Sequence, residues 1–263
     1  MRSLRLIRCF ILASAQEELA YRANFFISLL HSVLNFGAGF LGVAVVFGQV
    51  EELHGWDFPS TLAVLGIYLV VSALRSLFIG PSLDSMAGME GEVWTGRFDF
   101  TLLRPVSTQF LASFRHWRLF SLFDLALGLL VIGIALAQPG QELSLIQLFT
   151  FFLALCAGVL ILYAVLLAFT ALVFISPGFL FTWIFDGLFQ MARYPLGLYP
   201  NWVRLVLTWI IPVGLITTVP AQALTGSVTL PTLAGMLILA VALLAAASLL
   251  FNHGLVRYHS ASS

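Results

Sequence analysis

Apolar positions run along this chain in long blocks, and the polar positions between them mark the connections. The first charge-free block, 23–50, is long enough for one membrane-crossing helix with some tilt. A second covers 58–74 and continues past Arg75 to near Gly80. A third runs over 119–137 and is interrupted by Asp124. The fourth, 143–185, is too long for one crossing and is punctuated by Ser176, Pro177 and Gly178, which predicts a span over 146–175. The last block, 205–256, holds two crossings separated by the stretch 220–231, with Gly226 and Ser227 in it. The pattern predicts an all-α membrane protein with six transmembrane helices in one domain, 1–263.

The first 22 residues have a different period. Arg2, Arg5 and Arg8 recur every three residues on one side, while Leu4, Ile7, Phe10 and Ile11 gather on the other. Leu12 breaks the pattern slightly. The uncharged core of a secretory signal would be barely long enough here and contains Ser14. An amphipathic helix lying in the headgroup plane fits better.

Arginine positions set the orientation. The connection 81–118 holds Arg97, Arg104, Arg115 and Arg118, whereas 49–59 and 138–144 hold none. Both termini and the 81–118 loop are therefore expected in the cytoplasm. The segment 179–200 is the ambiguous one. A crossing there would carry Arg193 and Arg204 outside and upset the parity of the tail. It is read instead as an interfacial helix carrying Phe179, Trp183, Phe189 and Asp186, with the fifth span starting near Trp202. That assignment keeps all twelve arginines at or near the inner interface.

Composition agrees with a membrane location. The chain is 60% hydrophobic and only 9% charged, against about 45–50% and about 25% in an average soluble domain. Its mean hydropathy is +1.02. Twelve basic residues balance twelve acidic ones, so no global field attracts nucleic acid. Every basic residue is arginine. Without a lysine the chain cannot carry a Walker A phosphate loop. His31, His54, His116, His253 and His259 show no metal-ligand spacing. Cys9 and Cys156 make no disulfide framework, and Cys156 reads as a buried thiol within an apolar run. An intramembrane enzyme finds no nucleophile and base pair here. A secondary transporter would show inverted repeats, and the two halves are not similar.

Polar groups inside the predicted spans are costly and mark pathways or interhelical bonds. His31 and Asn35 lie four residues apart on one face of the first span. Arg75 and Asp124, near the inner ends of spans 2 and 3, are expected to form an ion pair. The pairs Ala38/Gly42 and Ala44/Gly48 permit close helix approach.

The longest connection, 81–118, is the informative one. Asp99 is placed to cap a short helix carrying Phe100, Leu102 and Leu103, and Arg104 before Pro105 closes it. Charges flank this apolar helix at the membrane face, which makes it a docking element for a soluble partner.

The run Gly96-Arg97-Phe98-Asp99-Phe100-Thr101-Leu102-Leu103-Arg104-Pro105 resembles the G-x-hydrophobic-D-x-x-L-L-R-P signature of bacterial ABC-2 type transporter permeases. Arg193-Tyr194-Pro195 resembles the R-Y-P element of a six-span subfamily. Ile211-Pro212, Val219-Pro220-Ala221 and Leu224-Thr225-Gly226 resemble its fifth-span and outer re-entrant pattern. Gly254-Leu255-Val256-Arg257-Tyr258 resembles its tail. The resemblance covers essentially the whole chain. It implies a permease subunit of an exporter, in the bacterial inner membrane, with no enzymatic activity of its own. Its implied partners are an ATP-binding subunit, which would hold ATP and Mg, and a second permease, identical or different. It makes 1–22 the elbow helix and the 81–118 loop the carrier of the coupling helix, with Gly96, Asp99, Leu102, Leu103, Arg104 and Pro105 in the docking motif.

Overall fold

The computed structural model describes residues 2–20, 22–137, 144–178 and 181–258. The connection 138–143, Phe179 of the ambiguous segment, and His259 with the rest of the tail lie outside them.

Helix α1 (Arg2–Ala20) leads into α2 (Arg22–Phe47). A two-stranded hairpin, β1 (Glu52–Leu53) and β2 (Trp56–Asp57), follows, with Glu52 opposite Asp57. His54 and Gly55 both have positive φ, 52° and 81°, the backbone that a tight two-residue hairpin turn requires. Asp57 then caps α3 (Phe58–Leu74) by accepting from the Ser60 amide at 3.0 Å, and Pro59 occupies the first turn. A wide helical turn at Arg75–Ile79 continues α3 into α4 (Gly80–Asp84). Pro81 has no amide to give to a normal turn, which accounts for the widening.

The connection beyond α4 contains α5 (Asp99–Leu102) and α6 (Thr108–Phe114). Next come α7 (Ser121–Leu136) and α8 (Leu145–Val173). Ser144 and Gln147 close a reciprocal capping box at the start of α8. Helix α9 (Phe181–Phe189) runs into tight turns at Gln190–Arg193 and Leu196–Leu198, then α10 (Asn201–Leu205). A second wide turn, Val206–Ile210, precedes α11 (Val213–Leu224), and α12 (Leu230–Val256) ends the described chain.

Among the described residues, four helices are long and apolar enough to cross a membrane: Ala23–Phe47, Phe58–Asp84, Leu145–Val173 and Leu230–Val256. Ser121–Leu136 is apolar but shorter. The pair Asn201–Ile210 and Val213–Leu224 is bent by 95°. The molecule is an all-α membrane protein, with helices of spanning length fewer than the six expected.

Helix α3 is the centre of the bundle, buried on nearly every side from Leu62 to Val71. It packs along α7 through glycines that bring the two backbones together. A Cβ on Gly128 would lie 2.7 Å from the Val70 amide nitrogen, and one on Gly66 2.9 Å from that of Ile132. Helix α8 packs along α12 and α11, and a Cβ on Gly158 would meet the Ile216 carbonyl oxygen at 2.8 Å. Of the small residues singled out in the first span, Gly42 lies against the Tyr194 hydroxyl, whereas Gly48 meets only carbonyls of its own helix. Cys156 is exposed, not buried. The outer face of α8 is as apolar as its packed face, so an apolar run does not tell the two apart.

The segment 181–200, expected to lie along the interface, runs lengthwise against the bundle. Asp186 of α9 sits 2.7 Å from Arg75 at one end of the bundle. Arg193 donates to Asn35, midway along Ala23–Phe47, and lies over the Tyr68 ring. A side chain at Gly197 would meet the Trp56 indole nitrogen at 2.9 Å, at the opposite end. The segment thus passes through the bundle from the Arg75 end to the hairpin end. Arg204 then donates to the carbonyls of Leu196, Gly197 and Tyr199 there. Arg193 thus lies midway along the bundle and Arg204 at the hairpin end, and the bent pair after them returns to that end.

Candidate functional site

An aromatic anchor holds the connection 85–120 to the bundle, and an ion pair ties the connection to itself. Phe98 is 1% exposed and packs against Phe174 and Tyr258, with both ring centroids 5.4 Å away. Phe174 also meets Phe251 of α12. Glu92 accepts two hydrogen bonds from Arg115 at 2.9 and 3.1 Å, and Arg115 also donates to Thr101 at 3.4 Å. Gly96, at φ 73°, turns the backbone into α5. The motif alone does not mark Phe98 as the anchor, which depends on Phe174 and Tyr258, both distant in sequence.

Helix α5 is one turn long. Its cap position is Phe98, without a side-chain cap bond, so Asp99 does not cap it as expected. Asp99 is the first helical residue, where its charge still favours the amide end. The face turned outward is apolar. Phe100 is 69% exposed and Leu103 82%, with Leu102, Arg104 and Pro105 exposed beside them.

Helix α1 reaches the same end of the bundle. The Trp117 amide donates to Ser14 Oγ at 3.1 Å, and the Leu119 amide to a Glu18 carboxylate oxygen at 3.0 Å. Arg5 and Arg8 face outward, while Ile7, Phe10 and Ile11 are half-buried. Between α1, α2, the α3–α4 turn and this connection lies a cavity of about 560 Å³, lined by Glu18, Arg75, Asp84, His116 and Arg118 among others. Burial pushes the Glu18 carboxyl above its ordinary range, partly offset by the Leu119 and Phe120 amides and by Arg118. Burial and the neighbouring Arg115 hold His116 below the ordinary histidine value, and its Nδ1 has no hydrogen-bond partner.

The polar residues expected inside the spans are distributed differently from the sequence reading. Arg75 does not pair with Asp124. It pairs with Asp186 at 2.7 Å and Asp84 at 3.6 Å, because the widened turn directs its side chain toward α9 and α4. Asp124 lies against Ser32 and His31 of α2. His31 and Asn35 share a face in sequence but do different things: His31 is exposed near Asp124, and Asn35 accepts from Arg193. No group of three His, Cys, Asp or Glu is placed to hold a metal among the described residues.

An all-α bundle with several membrane-length helices is the architecture of a multi-pass membrane protein. Sequence comparison makes this specific. The family model described as ABC-2 family transporter protein matches residues 33–262, and the chain belongs to that family. It is a permease of an ABC-type transporter, and members of this family are membrane components, generally not enzymes themselves. No curated protein and no solved structure matches the chain.

Proposed function

We propose that this chain is the membrane-spanning permease subunit of an ATP-driven exporter, coupled to a separate ATP-binding subunit through the exposed face of α5. The observation that carries the reading is the combination of Phe100 and Leu103 in solvent with Phe98 locked beneath them. Exposed apolar residues on a rigid support mark an interaction surface. Force applied there reaches Phe174 at the end of α8 and Phe251 of α12 through stacked rings.

In this reading the Arg75 end of the bundle is cytoplasmic and the hairpin end is outside, in the bacterial inner membrane with both termini inside. The six crossings are α2, α3–α4, α7, α8, the segment 181–200 and α12. The bent pair 201–224 is a re-entrant loop entered from outside, and α1 is the elbow helix at the inner face. ATP and Mg belong to the partner subunit, and two permease subunits, identical or different, enclose the pathway. Closure of the ATPase dimer shifts the bundle between inward- and outward-facing states, and cargo biases that equilibrium by its differential affinity for them.

Co-expression with an ABC ATP-binding subunit tests the assignment. The two should co-purify, and Phe100→Ser with Leu103→Ser should release the ATPase while leaving the permease folded in the membrane. Asp99→Ala or Arg104→Ala should abolish cargo-stimulated ATP hydrolysis. A permease that transports in liposomes with no ATPase present would instead be a secondary transporter.

A further inference from the structure

Resting on the permease reading, we propose that Arg193 is the recognition point for the acidic group of an anionic, amphipathic cargo. Arg193 is a guanidinium at the mid-depth of the bundle. It donates to the side-chain oxygen of Asn35 and lies 5.3 Å from the Tyr68 ring centroid. Neither neighbour carries a negative charge, and Arg193 Nε is buried with no hydrogen-bond partner. The fold surrounds this cation with a neutral amide and aromatic faces.

A cation at this depth is costly unless something neutralises it. The chain has twelve acidic residues. One, Glu142, lies outside the described residues, in a connection. Of the rest, Asp186 is nearest along the chain and is already engaged by Arg75. The others lie in α1, the hairpin, the end of α4, the 85–120 connection or the first turn of α7. Asp124 comes nearest in level, against Ser32 one turn of α2 away, and none of the described carboxylates forms an ion pair with Arg193. In this proposal the missing charge comes from a bound molecule.

The surroundings also say what else that molecule carries. Asn35 and Arg193 are only half-buried, and the adjoining flank of α2, about 100° round the helix, carries exposed Leu34 and Leu41. Gly39 has no side chain, and a Cβ there would come 3.2 Å from Arg193 Cδ and 2.8 Å from Leu65. The glycine therefore lets the arginine stem lie along α2 with its head directed at Asn35. An acidic head on an alkyl tail matches this arrangement of one cation on an apolar wall.

The test is binding to the full chain in nanodiscs of phosphatidylcholine, read as a shift in melting temperature and by titration. Dodecyl phosphate, dodecyltrimethylammonium and inorganic phosphate are the probes. Dodecyl phosphate should bind saturably and the other two should not. Arg193→Met should weaken it about tenfold or more, the loss of a charge-assisted hydrogen bond, and Arg193→Lys should retain binding. Asn35→Asp keeps the shape and supplies an internal carboxylate, so it should weaken binding even if Arg193→Met fails to fold. Equal binding of the cationic probe, equal binding of inorganic phosphate, or undiminished binding by Asn35→Asp would overturn the proposal. No ATPase is present in this measurement, so its failure is separate from a failure of co-purification.

Discussion

Arg75 and Asp186 meet at 2.7 Å, off the line of the arginine N–H bonds, and tie the turn below α3 to α9. Arg75 is 14% exposed and Asp186 41%. Removing Arg75 strands Asp186, and removing Asp186 leaves Arg75 only Asp84, at 3.6 Å. Arg75→Met or Asp186→Leu should each destabilise the fold by about 2 kcal/mol, less than for a fully buried pair because Asp186 retains solvent. The double variant should recover most of that loss. Thermal melting of the four proteins in one detergent gives the coupling, and strictly additive losses would contradict it.

Phe98→Ala removes a ring that is 1% exposed. The expected cost is about 3–5 kcal/mol, with the 91–105 stretch released from Phe174 and Tyr258. Phe100→Ala, at 69% exposure, should change stability by no more than about 0.5 kcal/mol. Limited proteolysis distinguishes them: cleavage near Arg97 and Arg104 should accelerate in the first variant only.

Gly128→Leu places a side chain where Val70 backbone lies 2.7 Å from the would-be Cβ. Backbone cannot move aside as a side-chain tip can. A loss of about 1–3 kcal/mol or more is expected, together with poor membrane accumulation. Gly133, with nothing within 4 Å, is the control: Gly133→Leu should be tolerated.

His116 gives a pH signature. Its folded-state value lies below the ordinary 6.5, so the folded protein favours the neutral ring. As pH falls through 6.5 the unfolded chain binds the proton first and stability drops; above 6.5 the contribution is constant. The facing groups are Arg115, Glu92 and Glu17. Glu18 has the opposite sign, since its raised value favours the folded state as pH falls toward 4.5. The prediction therefore concerns a difference: His116→Gln should melt higher relative to wild type at pH 5.5 than at pH 7.5. Parallel curves would show that the ring does not titrate on unfolding.

Apolar block length and arginine spacing made α2, α3, α8 and α12 legible from sequence, because membrane insertion acts on length and charge directly. Burial was not legible. Cys156 and Ala157 are neighbours in one apolar helix, one exposed and the other 3% exposed. Lipid-facing and packed surfaces are both apolar, so no periodicity separates them. The motif 96–105 predicts a short helix with an apolar tip, but not its support from Phe174 and Tyr258, which is a long-range fact. Arg193 was assigned by counting charges on two sides. The count had no place for an arginine held halfway by Asn35 and Tyr68, nor for a helix pair that turns back.

The break at Ile211–Pro212 bears on biogenesis. Ile211 is extended, at φ −128°, and Pro212 has no amide, so the helix loses backbone hydrogen bonds where α11 begins. Neighbouring contacts come from elsewhere in the chain: Thr217 donates to the Ala192 carbonyl, the Leu196 amide donates to Thr218, and Ile216 backbone lies against Gly158. All of these partners precede residue 201. A ribosome delivers them to the membrane first, so the bent helix pair emerges onto a template already laid down.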